Sequence, residues 1–188
     1  MKMKKALIRS AIIVAIILLS VGIGFISQAI GHRLDLKKYP RDFSTFVEKY
    51  AGERGIPEDV VYGVIKYVSG FSSNHVGENG GVGLMGLTPA VFDRLLAGTK
   101  EDLTEGILYD PETNIRYGTL YLSELYNAYG RWEQVYAAVV AGEEKVNGWR
   151  ADTSLLGDKG KLTIPDKAVA SGVKEISKIV DKYKALYY

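Results

Sequence analysis

Five prolines punctuate the chain, and each stands at the start of a segment with helical periodicity. Proline lacks a backbone N–H and holds φ near −65°, so it is tolerated in the first turn of a helix and breaks later turns or central strands. Pro40-Arg41-Asp42 is expected to open a helix whose apolar stripe is Phe43, Phe46, Val47, Tyr50 and Ala51, with Gly55 as its stop. Pro57, followed by Glu58 and Asp59, opens a second with Val60, Val61, Val64, Ile65 and Val68 on one face, ending at Gly70. Thr88-Pro89 pairs an N-cap with Pro at N1 and starts a short helix to about Leu96. Asp110-Pro111 repeats the device ahead of Ile115, Leu122, Leu125 and Tyr129, and Gly130 breaks the run. Trp132 to Ala141 forms another helix with a turn at Gly142, and Asp152 to Lys161 reads as a polar loop. Pro165 precedes the last helix, in which Val169, Val173, Ile176, Ile179, Val180 and Tyr183 face inward. No segment alternates with period two for long, so the fold class is all-α.

The N-terminal part follows another rule. Residues 11–30 read AIIVAIILLSVGIGFISQAI, twenty residues without a charge. At a helical rise of 1.5 Å per residue, a run of about 20 residues spans a hydrocarbon core of about 30 Å. Lys2, Lys4, Lys5 and Arg9 precede it, and a basic flank is retained on the cytoplasmic side. A cleaved signal peptide is the competing reading, because Ser27-Gln28-Ala29 is a small-x-small site. Signal h-regions run about 7–15 residues, however, which favours a retained anchor. The expected order is a basic cytoplasmic segment (1–10), a transmembrane anchor (11–30), a polar linker (31–39) and one extracytoplasmic domain (40–188).

Charge and cysteine content narrow the function. The net charge is +2, but removing the four N-terminal cations leaves 20 cations against 22 acids. A slightly acidic domain lacks the footprint of a nucleic-acid binder. With no cysteine and two histidines, disulfides, thiolate nucleophiles and thiolate metal sites are excluded, and neither metal nor cofactor is expected. Gly81-Val82-Gly83-Leu84-Met85-Gly86 matches G-x-G-x-x-G. A dinucleotide site requires a preceding strand and a helix opening within the motif. This motif follows a helix and a loop instead, so it reads as a tight turn needing positive φ or close backbone approach.

Five segments, in order, resemble the lytic transglycosylase domain of the soluble-transglycosylase, goose-lysozyme-like kind. Val64 to Phe71 (VIKYVSGF) resembles the helix end E-S-x-F. Gly80 to Met85 (GGVGLM), with Thr88-Pro89, resembles the loop G-A-x-G-L-M-Q. Asp110-Pro111, Asn114-Ile115, Gly118 and Tyr121-Leu122 resemble D-P-x-x-N-I-x-x-G-x-x-Y-L. Ala137 to Gly142, with Val146 and Trp149, resembles A-A-Y-N-A-G followed by V and W. Ile164-Pro165 resembles the I-P before the family's final E-T-x-x-Y-V helix. The resemblance runs from about Tyr39 to the C-terminus and implies a lysozyme-like, all-α lytic transglycosylase domain, preceded by one transmembrane helix.

The resemblance also implies which groups are missing. In the family, one Glu protonates the leaving glycosidic oxygen of a peptidoglycan strand, then serves as base toward the sugar's hydroxymethyl group, giving a 1,6-anhydro product. That Glu falls on Val68. The Gln of G-L-M-Q falls on Gly86, the Tyr-Asn pair on Val139 and Val140, and the final E-T-x-x-Y on Ala168, Val169 and Gly172. General acid–base help contributes roughly 10²–10⁴-fold, and a valine has no proton to give. The site residues expected on this basis are Val68, Ser69, Glu78, Met85, Gly86, Val139 and Val140, with no catalytic residue among them.

The expected function is a catalytically degenerate envelope domain that binds peptidoglycan glycan strands or scaffolds another envelope protein. Two alternatives stand beside it: an active enzyme using a relocated acid (Glu78, Glu143 or Glu144), and a protein-interaction domain with no sugar binding. Tyr67 and Tyr109 are mild candidates for sugar stacking, His75 is expected on an exposed loop, and Trp149 in the core.

Overall fold

The structure is a computed structural model, and it describes residues 19–20, 22–24 and 27–188. The chain divides into two units, Met1–Pro40 and Arg41–Tyr188. In the first unit, residues 27–38 are helical, so helix runs through most of the segment expected as a linker. Among the described residues no helix is long and apolar enough to cross a membrane. The anchor expected over 11–30 lies mostly outside the described residues.

The second unit contains seven α-helices: α1 (Ser44–Arg54), α2 (Glu58–Val68), α3 (Pro89–Ala97), α4 (Pro111–Tyr129), α5 (Trp132–Ala141), α6 (Glu143–Ala151) and α7 (Lys167–Tyr187). A 3₁₀ turn, Glu105–Tyr109, leads into α4. The described residues contain isolated bridges but no strand. Helix α7 packs along α2 and α5, while α1 packs on α4. Between them lies a core that includes Val61, Ile65, Leu84, Ile115, Ile176 and Tyr183, each fully buried.

The proline signals act through local hydrogen bonds. Thr88 Oγ1 accepts the Val91 N–H at 3.3 Å, and Asp110 Oδ2 accepts the Thr113 N–H at 2.8 Å. Each satisfies one of the four donors that a helix N-terminus leaves unpaired. Two details depart from the sequence reading. Helix α1 begins at Ser44, because Phe43 adopts the left-handed region (φ 62°) and so cannot continue a helix backward to Arg41. Helix α6 follows α5 after one residue, Gly142, where a turn alone was expected.

Candidate functional site

The glycine-rich loop between α2 and α3 is held by one side chain. Asn114 is fully buried in the first turns of α4. Its Nδ2 donates to the carbonyls of Val82 (2.9 Å) and Leu108 (2.8 Å), and its Oδ1 accepts the Met85 N–H at 2.8 Å. Three bonds from one carboxamide fix the loop to the helix and leave no buried main-chain group of the three unpaired. Gly83 (φ +78°) passes so close to Asn114 and the Leu108 carbonyl that no Cβ fits. Gly86 turns at φ +64°, and a Cβ placed there would lie 2.7 Å from Val68 Cγ1. The G-x-G-x-x-G segment is thus a tight turn.

Beside this loop lies a cavity of about 1030 Å³, walled by α3, the middle of α4 and the α5–α6 turn. Arg94 of α3 crosses one wall. Its Nη1 bonds Glu124 at 2.7 Å and its Nη2 bonds Glu143 at 3.2 Å. The same guanidinium stands 5.8 Å from the Tyr121 ring centre. Burial, and after it the nearby Glu143, pushes the Tyr121 phenol well above its ordinary value and that of Tyr129 up to about 12. These phenols therefore stay neutral hydrogen-bonding groups. On the other wall, Lys145 bonds Asp166 at 2.9 Å and stands 5.6 Å from the Trp149 ring centre.

Of the residues expected at the site, Met85, Gly86 and Val139 line this cavity, together with Glu143 and Glu144. Val68, the last residue of α2, is half-buried and reaches the cavity's edge only through its contact with Gly86. Ser69 caps α2, its Oγ donating to the Ile65 carbonyl at 3.0 Å. Val140 turns toward Gly172 and the Tyr67 hydroxyl, away from the cavity lining. Glu78 is exposed and does not line the cavity, although its neighbour Asn79 does. Tyr109 is 42% exposed. His75 is half-buried, its carbonyl accepting the Gly83 N–H at 2.9 Å. Trp149 is half-buried on the cavity wall rather than in the core, because α6, absent from the sequence reading, carries it there.

Sequence reasoning passed over Arg94, Asn79, Asn147 and Asn114 as site-building residues. Asn114 had a signal, the D-P-x-x-N-I spacing; Arg94 had none, since one cation on an amphipathic helix is ordinary. Chemically, the cavity offers an aromatic face, amide donors and acceptors, and charges of both signs. Its Glu143 carboxylate is committed to Arg94. Such a lining suits holding a polar, ring-containing ligand.

Residues 45–160 match the family model described as the transglycosylase SLT domain. The soluble lytic murein transglycosylase of Escherichia coli (strain K12) is 25% identical over 122 residues, covering 63% of this chain and 19% of that protein. The membrane-bound lytic murein transglycosylase C of Yersinia pestis (strain Pestoides F) is 30% identical over 105 residues, covering 54% of this chain and 29% of that protein. The chain thus spans less than a third of the length of these relatives. Among solved structures, the 70-kDa soluble lytic transglycosylase in complex with bulgecin A aligns with a TM-score of 0.71 at 22% identity, over 80% of this chain and 25% of that one. An inactive mutant of the lytic transglycosylase Slt from Pseudomonas aeruginosa aligns at 0.67 and 23% identity, over 79% and 25%. At this identity the likeness establishes the fold.

Proposed function

We propose that this chain, which belongs to the transglycosylase SLT domain family, is a membrane-anchored, catalytically degenerate member that binds peptidoglycan glycan strands without cleaving them. The observation that carries the reading is Val68. It ends α2 against Gly86, at the edge of the roughly 1030 Å³ cavity. By the family resemblance that position belongs to the general acid, and a hydrocarbon there neither donates a proton nor stabilises an oxocarbenium-like centre. The cavity nevertheless retains the size and mixed lining of a ligand site. The apolar run over 11–30 and its basic flank support an anchor with the domain outside the cytoplasm.

One observation favours a second reading. Glu143 and Glu144 stand on the cavity wall, so a relocated acid has a place. Against it, Glu143 is bonded to Arg94 and is not free to approach a glycosidic oxygen.

The full chain, purified in detergent, is incubated with peptidoglycan sacculi. Bound protein is measured by co-sedimentation and released muropeptides by chromatography. The expected result is pelleting with no 1,6-anhydro product. Absence of pelleting removes sugar binding and leaves a protein-interaction role. Anhydro products overturn the non-catalytic reading, and their loss in Glu143→Gln or Glu144→Gln identifies the acid. Protease applied to intact protoplasts is expected to remove the domain and leave a small membrane fragment; a mature chain beginning near Ile30 would show cleavage instead.

A further inference from the structure

A smaller cavity of about 420 Å³ lies between the end of α4, the α4–α5 turn, the end of α6 and the loop that follows α6. No residue lines both it and the first cavity. Its lining carries three cations, Arg131, Arg150 and Lys159, and no carboxylate. The first cavity, by contrast, sets Arg94 and Lys145 against Glu143 and Glu144. Beyond Arg9 the chain has 20 cations and 22 acids, so composition alone does not produce a pocket of one sign. Lys159 has no ion pair among the described residues, and the Arg131 contact with Glu133 is at 3.9 Å, the outer limit of an ion pair. A cleft lined by one sign of charge focuses its field and concentrates ions of the opposite sign.

An independent feature shows that one of these cations is held in place without being neutralised. Gln134 of α5 is 2% exposed and spends both ends of its carboxamide on the pocket wall. Its Oε1 accepts from Arg150 Nη1, and its Nε2 donates to the Gly160 carbonyl at 2.8 Å. A buried amide thus ties the end of α6 to the following loop, and both of its partners line the pocket. Arg150 Nη2 donates to the Ala128 carbonyl at 3.2 Å, and the guanidinium stands 4.5 Å from the Tyr129 ring centre. Tyr129 is itself 8% exposed, and its hydroxyl bonds Asn147 Oδ1 at 2.9 Å. The half-buried Arg150 is therefore fixed by an amide, a carbonyl and an aromatic face, all of them neutral. Partly buried charges are ordinarily matched by a counter-charge, and the lining of this pocket supplies none.

We propose that this pocket binds the phosphate group of a phosphate ester, with Arg150 as the fixed donor and Arg131 and Lys159 closing on it from the turn and the loop. A tetrahedral phosphate accepts hydrogen bonds from several directions, which matches three cations carried by three separate segments. A planar carboxylate is met best by one whole guanidinium fork. Both terminal nitrogens of Arg150 already donate within the protein, so part of that fork is spent. This site is independent of glycan binding in the first cavity.

The test titrates the full chain, purified in neutral detergent and phosphate-free buffer, by calorimetry. One probe is glycerol 3-phosphate, a free monoester. The other is glycerophosphoglycerol, a diester of the kind a lipid headgroup carries. Acetate is the carboxylate control. At least one phosphate probe is expected to bind, at least about tenfold more tightly than acetate. The tighter of the two identifies the source, a soluble phosphate for the monoester and a headgroup for the diester. Arg131→Gln, Arg150→Gln and Lys159→Gln are each expected to weaken binding by about fivefold. Lys178→Gln, an exposed cation outside the pocket, is expected to change it by less than about twofold. Arg150→Gln also removes the bond to Gln134, so Lys159→Gln, at an exposed position, is the variant least able to disturb packing. Melting curves confirm that each variant is folded. No saturable binding of either phosphate probe overturns the proposal. So does acetate binding of equal strength, or equal weakening by Lys178→Gln, which would mark a non-specific charge effect.

Discussion

The Asn114 carboxamide oxygen accepts the Met85 main-chain N–H at 2.8 Å, joining residues 29 apart in sequence inside the protein. Its amide nitrogen holds the Val82 and Leu108 carbonyls. Asn114→Ala strands the buried Met85 N–H and the Leu108 carbonyl, while the Val82 carbonyl keeps the Leu87 N–H at 3.1 Å, and is expected to lower stability by about 3 kcal/mol. Urea unfolding measures the loss. A change below about 1 kcal/mol would mean that water replaces the side chain.

Gly86 and Val68 test the same loop sterically. Gly86→Ala combines a left-handed backbone with a Cβ 2.7 Å from Val68 Cγ1. The expected cost is about 2 kcal/mol, of which about 1 is conformational and the rest overlap. The overlap part should vanish in a Val68→Ala background. A double-mutant cycle in urea measures the coupling, and strict additivity would place the two residues out of contact.

Restoring one group is not expected to restore chemistry. Val68→Glu alone should release little anhydro product, and at least about tenfold less than Val68→Glu combined with Val139→Tyr and Val140→Asn, because groups acting as a unit lose and regain their effects non-additively. Gly86 is left unchanged in both, since its φ of +64° disfavours any side chain. Chromatography of sacculus digests decides, after circular dichroism has confirmed folding. Equal product from the single and triple variants would show that the remaining lining is already competent.

Acid should weaken the fold through Glu101 and Glu112. The Arg116 guanidinium, then the Tyr117 hydroxyl, holds the Glu101 carboxyl below its ordinary value. The Tyr50 hydroxyl, then Lys49, does the same for Glu112. A depressed folded-state value means that the unfolded chain takes up protons first. The contribution is therefore complete above the ordinary value near 4.5 and is lost as pH falls through the lower folded value. Melting temperature should be flat from pH 7 to about 5 and then fall, with a shallower fall in a Glu101→Gln, Glu112→Gln double variant. Identical acid limbs in the two proteins would exclude these pairs.

Helix starts and stops were written locally. The Thr88 and Asp110 caps act on main-chain groups three residues away, and Gly55 and Gly130 end helices through their own φ of +65° and +68°. Interactions of that range depend on neighbouring residues alone, which is why the all-α class, most helix boundaries and the tight glycine turn were legible in the sequence. Where a local signal was weak, the reading failed: nothing adjacent to Phe43 announces its left-handed backbone, and the mixed composition of Glu143–Ala151 hid a helix.

The sites were decided by packing over long separations. Arg94 meets Glu124 and Glu143, 30 and 49 positions away, only because α3, α4 and α6 converge on one cavity. Val139 lines that cavity while the adjacent Val140 faces Gly172, since successive helical residues point about 100° apart and the docking of α5 on α7 fixes which one turns inward. Sequence chose the residue types and the helices that carry them. Tertiary structure chose the neighbours, because burial and charge at a site depend on chain segments that only folding brings together.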